Sequence, residues 1–225
     1  MPGYYKLTLP SDPKIIGVRN GIMQVEICDE PFLNAIQPAL FNGTEVPLSA
    51  EAKAMNITCI HVLRQAKLTD VLSFGPMLTW FPFFMKRKTL ALLSPFNTRI
   101  TQVFPVTLDP DPQGLNEYAL VLFQPLGMDF IDFPRSTYCS GSNMLNNKQT
   151  HIFDNQEEYV DNFPTLLALP ERIVLAPTFD QSLDLFDLIG CGICVSERVK
   201  RALEQNRTSG VKVSDTMIAF PEVNH

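Results

Sequence analysis

Between Asp180 and Asp215 the chain passes through an acidic and aromatic lead-in, a short apolar run, a serine placed to cap a helix (Ser196) and an exit at Gly210. An apolar run too short for a buried helix, followed at once by a helix-capping serine, makes a strand feed a helix with almost no loop between them. Val199, Ala202 and Leu203 recur at helical spacing and form the stripe that this helix buries. Local order of this kind, set among many short apolar runs, predicts an α+β chain: a mixed, mainly antiparallel sheet with a few short helices.

The remaining sequence fits that class. Tyr4–Leu9, Ile15–Val18 and Met23–Cys28 read as short strands, with Asn20-Gly21 as a hairpin signal because both residues tolerate positive φ. A helix from Ser49 competes with a strand over Ile57–Leu63. Lys86–Leu93 reads as a helix ended by Pro95, and Thr101–Leu108 pairs with Glu117–Phe123 across a breaker-rich turn. Met128–Phe133 alternates with period two and reads as a strand, residues 134–150 as a loop, and Ile173–Ala176 as a short strand. Asp154 with Glu157 has the spacing of a helix-capping pair, and Pro164 is expected to stop that helix. Residues 1–60 are expected to form a β-rich region packed on a main domain of residues 61–225. Asp70-Val71-Leu72 and Arg87…Ala91-Leu92 are echoed by Asp184-Leu185-Phe186 and Arg198…Ala202-Leu203, with the helical elements 111 residues apart. A duplicated strand–helix unit and chance account for this echo equally well.

Net charge is −6, and it is unevenly spread. From Asp109 to Asp187 there are 13 acidic residues against Arg135, Lys148 and Arg172, a balance of −10, and the flanks make up +4. Such a band disfavours nucleic acid and steers basic partners; it also simply keeps a protein soluble. The N-terminus lacks the pattern of a signal peptide, and no apolar stretch is long enough to span a bilayer. Five cysteines suggest no disulfide framework, so a reducing cytoplasm is the expected location.

Catalytic and metal motifs fail on inspection. Cys191-Gly-Ile-Cys194 precedes the helix cap rather than following it, so no dipole lowers a thiol pKa, and only Cys59 with His61 offers a second pair of zinc ligands. Gly190-Cys-Gly192 lacks the third glycine of a dinucleotide fingerprint, where Val195 stands. Asp109-Pro-Asp111 opens like a calcium loop but has Leu120 where the bidentate carboxylate belongs. Ser140-Gly-Ser142 lacks the nucleophile elbow, and His61, His151 and His225 are the only bases of their kind. Trp80, Phe81, Phe83 and Phe84 beside Lys86–Lys88 read as core before they read as a base-stacking surface. No cofactor or metal is expected. The candidate contact residues are acidic with an aromatic anchor: Asp180, Asp184, Phe186 and Asp187, together with Glu157, Glu158 and Asp161.

Val195-Ser-Glu-Arg-Val-Lys-Arg-Ala-Leu203 followed by Thr208-Ser-Gly-Val211 resembles the family-eleven immunity proteins of bacterial polymorphic toxin systems. Leu68–Leu72, Val103–Val106, Tyr118–Leu122 and Asp129–Asp132 fit that family's order, so the likeness covers roughly residues 65–215. Phe81-Pro-Phe-Phe-Met85 departs from the family's smooth strand. The resemblance implies a cytoplasmic antitoxin that binds a cognate secreted toxin and occludes its active site, with no catalysis and no transferable site residues. It implies a protein partner, with neither nucleic acid nor membrane involved, and it leaves the oligomeric state open. Two alternatives stand beside it: a small hydrolase or redox enzyme using His151 with Cys139, Cys191 or Cys194, and a non-catalytic scaffold module.

Overall fold

The computed structural model describes residues 3–19, 23–41, 48–74, 83–142, 144–215 and 218–219. The Asn20-Gly21 hairpin signal, the aromatic residues Trp80 and Phe81, and His225 lie outside them. In chain order the elements are β1 (Tyr4–Thr8), α1 (Pro13–Ile16), β2 (Val25–Ile27), α2 (Glu30–Phe41), α3 (Ala50–Lys53), β3 (Ile60–Val62), β4 (Val71–Leu72), β5 (Phe83–Lys86) and α4 (Arg87–Leu93). They continue with β6 (Ile100–Pro105), β7 (Tyr118–Phe123), β8 (Pro125–Leu126), β9 (Thr137–Ser140), β10 (Gln149–His151), α5 (Gln156–Leu166) and β11 (Leu169–Val174). The last are β12 (Leu185–Leu188), β13 (Gly192–Ser196), α6 (Glu197–Gln205), β14 (Lys212–Asp215) and β15 (Ile218–Ala219). Pairing is mostly antiparallel, and the fold is α+β.

Two sheets dominate, and they have the same plan. One runs β4-β5-β7-β6 and the other β12-β13-β1-β14, with β8 added beside β12. In each, a hairpin's second strand leads straight into a helix: β5 into α4, and β13 into α6. The registers match as well. Val71 faces Met85 as Leu185 faces Val195, Lys86 faces Tyr118 as Ser196 faces Tyr4, and Val103 faces Val121 as Val213 faces Leu7. Tyr118 donates its hydroxyl proton to the Thr69 carbonyl at 2.6 Å, and Tyr4 donates to the equivalent Leu183 carbonyl at 2.9 Å. The second copy is permuted, because its strand matching β7 is supplied by the N-terminus as β1. Residues 1–60 are therefore not a region packed on the rest: β1 is woven into the second sheet, and β2 pairs with β3 across residue 60.

Each copy opens with a buried aspartate that the other copy clasps. The Asp70 carbonyl accepts from Lys86 N–H and the Asp184 carbonyl from Ser196 N–H, at 2.9 and 2.8 Å. Ser209, just after α6, donates its N–H to the Asp70 carboxylate at 2.9 Å, and Asn97, just after α4, donates its N–H to the Asp184 carboxylate at 3.1 Å. In return Val71 N–H reaches the Ser209 carbonyl and Leu185 N–H the Asn97 carbonyl. Lys88 and Arg198, both the second residue of their helices, pair with Asp70 and Asp184 at 2.7 and 3.4 Å. The duplication read at Asp70 and Asp184 is present in the fold, but the helices match at an offset of 110 residues and not 111. Leu93 and Leu203, not Leu92 and Leu203, are the buried pair, since both helices must point the same turn at the shared core.

That core lies where the two sheets meet. Val71, Phe83, Met85, Leu93 and Val121 pack there with Leu185, Ile193, Val195, Leu203 and Leu7, their counterparts. Alternation sends the next residues to the outer faces. Leu72 and Phe84 face a cluster with Val25, Phe32, Ile36 and Ile57, so the segment from β2 to β3 covers the first copy. Phe186 and Cys194 face Tyr138, Phe153, Tyr159 and Ile173, so the segment from β9 to β11 covers the second. The first cover is pinned by a Cys28–Cys59 disulfide, contrary to the expectation of no disulfide framework. An odd cysteine count conceals one bridge and three free thiols, Cys139, Cys191 and Cys194. Beside the bridge, Asp29 accepts from Phe32 N–H at the start of α2 and from the Thr58 N–H and hydroxyl.

Several local expectations shift. Ile15–Val18 is not a strand: Pro13–Ile16 is a single helical turn capped by Asp12 and closed by Gly17 at φ 85°. Both readings near residue 50 hold in part, since Ser49 caps α3 and β3 follows. Met128–Phe133 is not a strand but two 3-10 turns, Met128–Phe130 and Phe133–Arg135, the second admitted by Pro134. The supposed loop 134–150 contains β9 and the start of β10. Asn155, not Asp154, caps α5; its side chain takes the Glu158 N–H while the Glu158 carboxylate takes the Asp154 N–H. Pro164 lies inside α5, which runs on to Leu166 and is capped by Leu167 at φ 46°.

Candidate functional site

The seven proposed contact residues separate into two groups. Asp184, Phe186 and Asp187 are 3%, 0% and 4% exposed, so they offer nothing to a partner and are corrected as contact residues. Asp184 is consumed by the clasp, where the Ser196 hydroxyl also donates to it at 2.6 Å. Phe186 meets Tyr4 edge-on at 4.9 Å and Phe179 at 5.1 Å. Burial raises the Asp187 carboxyl to about 6, and among the described residues no donor or cation reaches it. β12 alternates between two cores, which is why the acidic and aromatic pattern there is internal.

Asp180, Glu157, Glu158 and Asp161 are exposed. Asp180 sits in the turn before β12, where the Ser182 hydroxyl and N–H hold its carboxyl below the usual range. The other three are on α5, a helix whose one buried side chain is Tyr159, packed among the rings of Tyr138, Phe153 and Phe133. No hydrogen bond or ion pair joins Asp180 to α5 among the described residues. Glu157 and Asp161 have no cation partner there either, and neither does Asp154.

Around α5 the surface has a character that sequence pattern does not reveal. Eight large apolar side chains are exposed among the described residues, and six of them fall between residues 144 and 169. They are Met144 and Leu145 in the β9–β10 turn (96% and 74% exposed), Ile152 (60%), Val160 (49%), Leu167 (63%) and Leu169 (60%). Apolar residues in a sequence are read as core by default, so this group passed unremarked. Strand register shows how the sheet β10-β9-β11-β15 contributes: Thr150, Cys139 and Leu169 form one cross-strand row on the face turned away from Tyr138. β10 is the edge of this sheet. The one cation at its start, Lys148, is already paired with Glu171.

The thiols and His151 are placed as follows. Burial pushes the Cys191 thiol up to about 12 and raises the Cys194 thiol as well, which makes both poor nucleophiles. Cys191 lies in the turn before β13 and not in the strand, so both sulfurs pack on the same outer cluster, without bonding to each other. His151 faces Tyr138 across the strand pair, which turns it away from Cys139 and toward Ser140, whose Oγ lies 2.8 Å from His151 Nε2. No carboxylate partners the other ring nitrogen among the described residues, so the pair is an incomplete nucleophilic constellation. No group of three or more metal-binding side chains is found among the described residues, and no helix there is long and apolar enough to cross a membrane.

No protein-family model matches this chain, and no curated protein matches it.

Proposed function

We propose that the chain is a binding protein that neutralises a toxin by covering part of its surface, as its likeness to the family-eleven immunity proteins suggests. One observation carries the reading: six exposed apolar side chains share residues 144–169 with four carboxylates, Asp154, Glu157, Glu158 and Asp161, that lack a cation partner among the described residues. Apolar groups left in water are costly, and apolar side chains that alternate along one stretch with a single sign of charge suit a protein partner of the opposite sign. The α5 carboxylates from the original contact set remain in this proposal together with Asp180; Asp184, Phe186 and Asp187 leave it.

The reading places the protein in the cytoplasm, where an incoming toxin is met. The exposed Cys28–Cys59 bond is open to reduction in that compartment. The test is co-expression with each neighbouring gene product. Restored growth and a co-purifying complex support the reading; a toxic neighbour that kills cells regardless of this chain overturns it. The Ser140–His151 contact favours a second reading, a small hydrolase. Ester turnover by the purified protein that disappears in Ser140→Ala would establish that reading instead.

A further inference from the structure

Natural sheets blunt their free edges with charge, proline or a covering segment, because bare N–H and C=O groups recruit other strands. The edges of this molecule can be compared on that basis. β14 ends its sheet with Lys212 and Asp215, and β6 continues into Val106, which Ile57 bridges. Among the described residues β10 has neither protection. Its residues Gln149, Thr150 and His151 are uncharged or weakly basic, Lys148 before them is neutralised by Glu171, and no described strand lies beyond. Ile152 extends from its end, and Leu169 shares the outer face with Thr150. The uncompensated carboxylates of Asp154, Glu157 and Asp161 follow directly in the chain.

We propose that β10 is a docking edge that accepts an extended strand of a protein partner, whose side chains alternate between apolar and Lys or Arg. The backbone of β10 supplies a ladder of hydrogen bonds. Ile152 and Leu169 take the apolar side chains on the outer face, and the α5 carboxylates take the cations. A partner strand of acidic or neutral polar character lacks this charge match. The inference rests on the binding reading above and names how the partner attaches. It also separates from that reading in experiment.

The probe is a twelve-residue peptide alternating Lys and Val, with a Glu–Val peptide as control, added to the full ¹⁵N-labelled chain. The Lys–Val peptide is expected to shift the amides of Gln149–Ile152 and slow their hydrogen exchange. Binding should weaken at least tenfold with the Glu–Val peptide, with Glu157→Lys/Asp161→Lys, and with Ile152→Lys/Leu169→Lys. All four substituted positions are exposed, so an unchanged melting curve will show that the variants fold. Equal binding of both peptides, or shifts confined to other strands, overturns the proposal. Protection of the same amides that grows with protein concentration and no peptide would assign the edge to a second copy, and this too overturns it. If a neighbouring toxin is neutralised equally by the wild type and by Ile152→Lys/Leu169→Lys, strand docking fails while neutralisation stands. If the peptide docks at β10 but no neighbour is neutralised, the docking edge stands and the neutraliser reading falls.

Discussion

Three residues after its clasped aspartate, the first copy carries Ser73 and the second Asp187. Both are buried, at 3% and 4% exposure. Ser73 is satisfied: its N–H and hydroxyl both donate to Gln24 Oε1, and the Gln24 amide donates onward to the Lys67 carbonyl and the Thr69 hydroxyl. Among the described residues Asp187 has no such neighbour, and burial raises its carboxyl to about 6. The covers differ in the same sense. The first is tied by a disulfide and by Asp29, and the second carries the exposed apolar and acidic face. One frame used twice thus supports one closed, satisfied half and one half that retains unsatisfied groups. Departures from local consistency concentrate where a chain is used.

The comparison is most exposed at the clasps. Asp70→Ala and Asp184→Ala should each cost about 3–4 kcal/mol in denaturant unfolding, because each leaves backbone donors buried without an acceptor. A neutral result at one site would show that the two clasps are not equivalent. The Asp70 clasp should also respond to acid. Burial alone would raise the Asp70 carboxyl, but hydrogen bonds from Lys88 and Ser209 override it and hold it at about 2. Its contribution is therefore complete above the ordinary carboxylate pKa and disappears as pH falls from about 4 toward 2. An Asp70→Asn variant should lose that acid transition when melting is followed against pH.

Reducing the bridge, or replacing Cys28 and Cys59 by Ser, should cost about 3–4 kcal/mol, given their sequence separation of 31. Hydrogen exchange should quicken in β2, α2 and β3 and leave α5 unchanged; uniform quickening would mean that the covers are coupled. Asp187→Asn should stabilise the protein by about 2–3 kcal/mol above pH 6. With the folded pKa raised, the Asp187 contribution is most favourable below about pH 4 and declines through about pH 6 as the carboxyl is forced to ionise, so the gain should vanish below pH 4. Thermal melts of both proteins from pH 3 to 8 check this. The smallest effect tests the sameness of the halves: Tyr4→Phe and Tyr118→Phe each remove one buried hydroxyl bond and should cost about 1 kcal/mol apiece.

Local signals in the sequence sufficed for elements whose cause is local. Ser196 does cap α6, Val199 and Leu203 are its buried stripe, and β6 does pair with β7. Of the echo read at Asp70-Val71-Leu72 and Arg87…Leu92, the aspartates are the identical residues that match in the fold, because matched core positions share apolar character rather than identity: Phe83 matches Ile193 and Met85 matches Val195. What stayed hidden depends on distant partners. Asp184 looks like a surface carboxylate until Asn97 arrives from the other copy. The Cys28–Cys59 pairing needs β2 and β3 side by side. The exposed apolar face looked like core, since a residue type carries no record of what fails to cover it.

The borrowed strand β1 has a consequence for synthesis. Tyr4 and the carbonyl it bonds at Leu183 are 179 residues apart, so at about 5–20 residues per second the ribosome releases the first some ten to forty seconds before the second. The first sheet draws on one continuous stretch and can close while translation continues. The second must keep its earliest-made strand waiting, and a nascent chain stalled before β12 should display an unpaired Tyr4–Thr8 to chaperones.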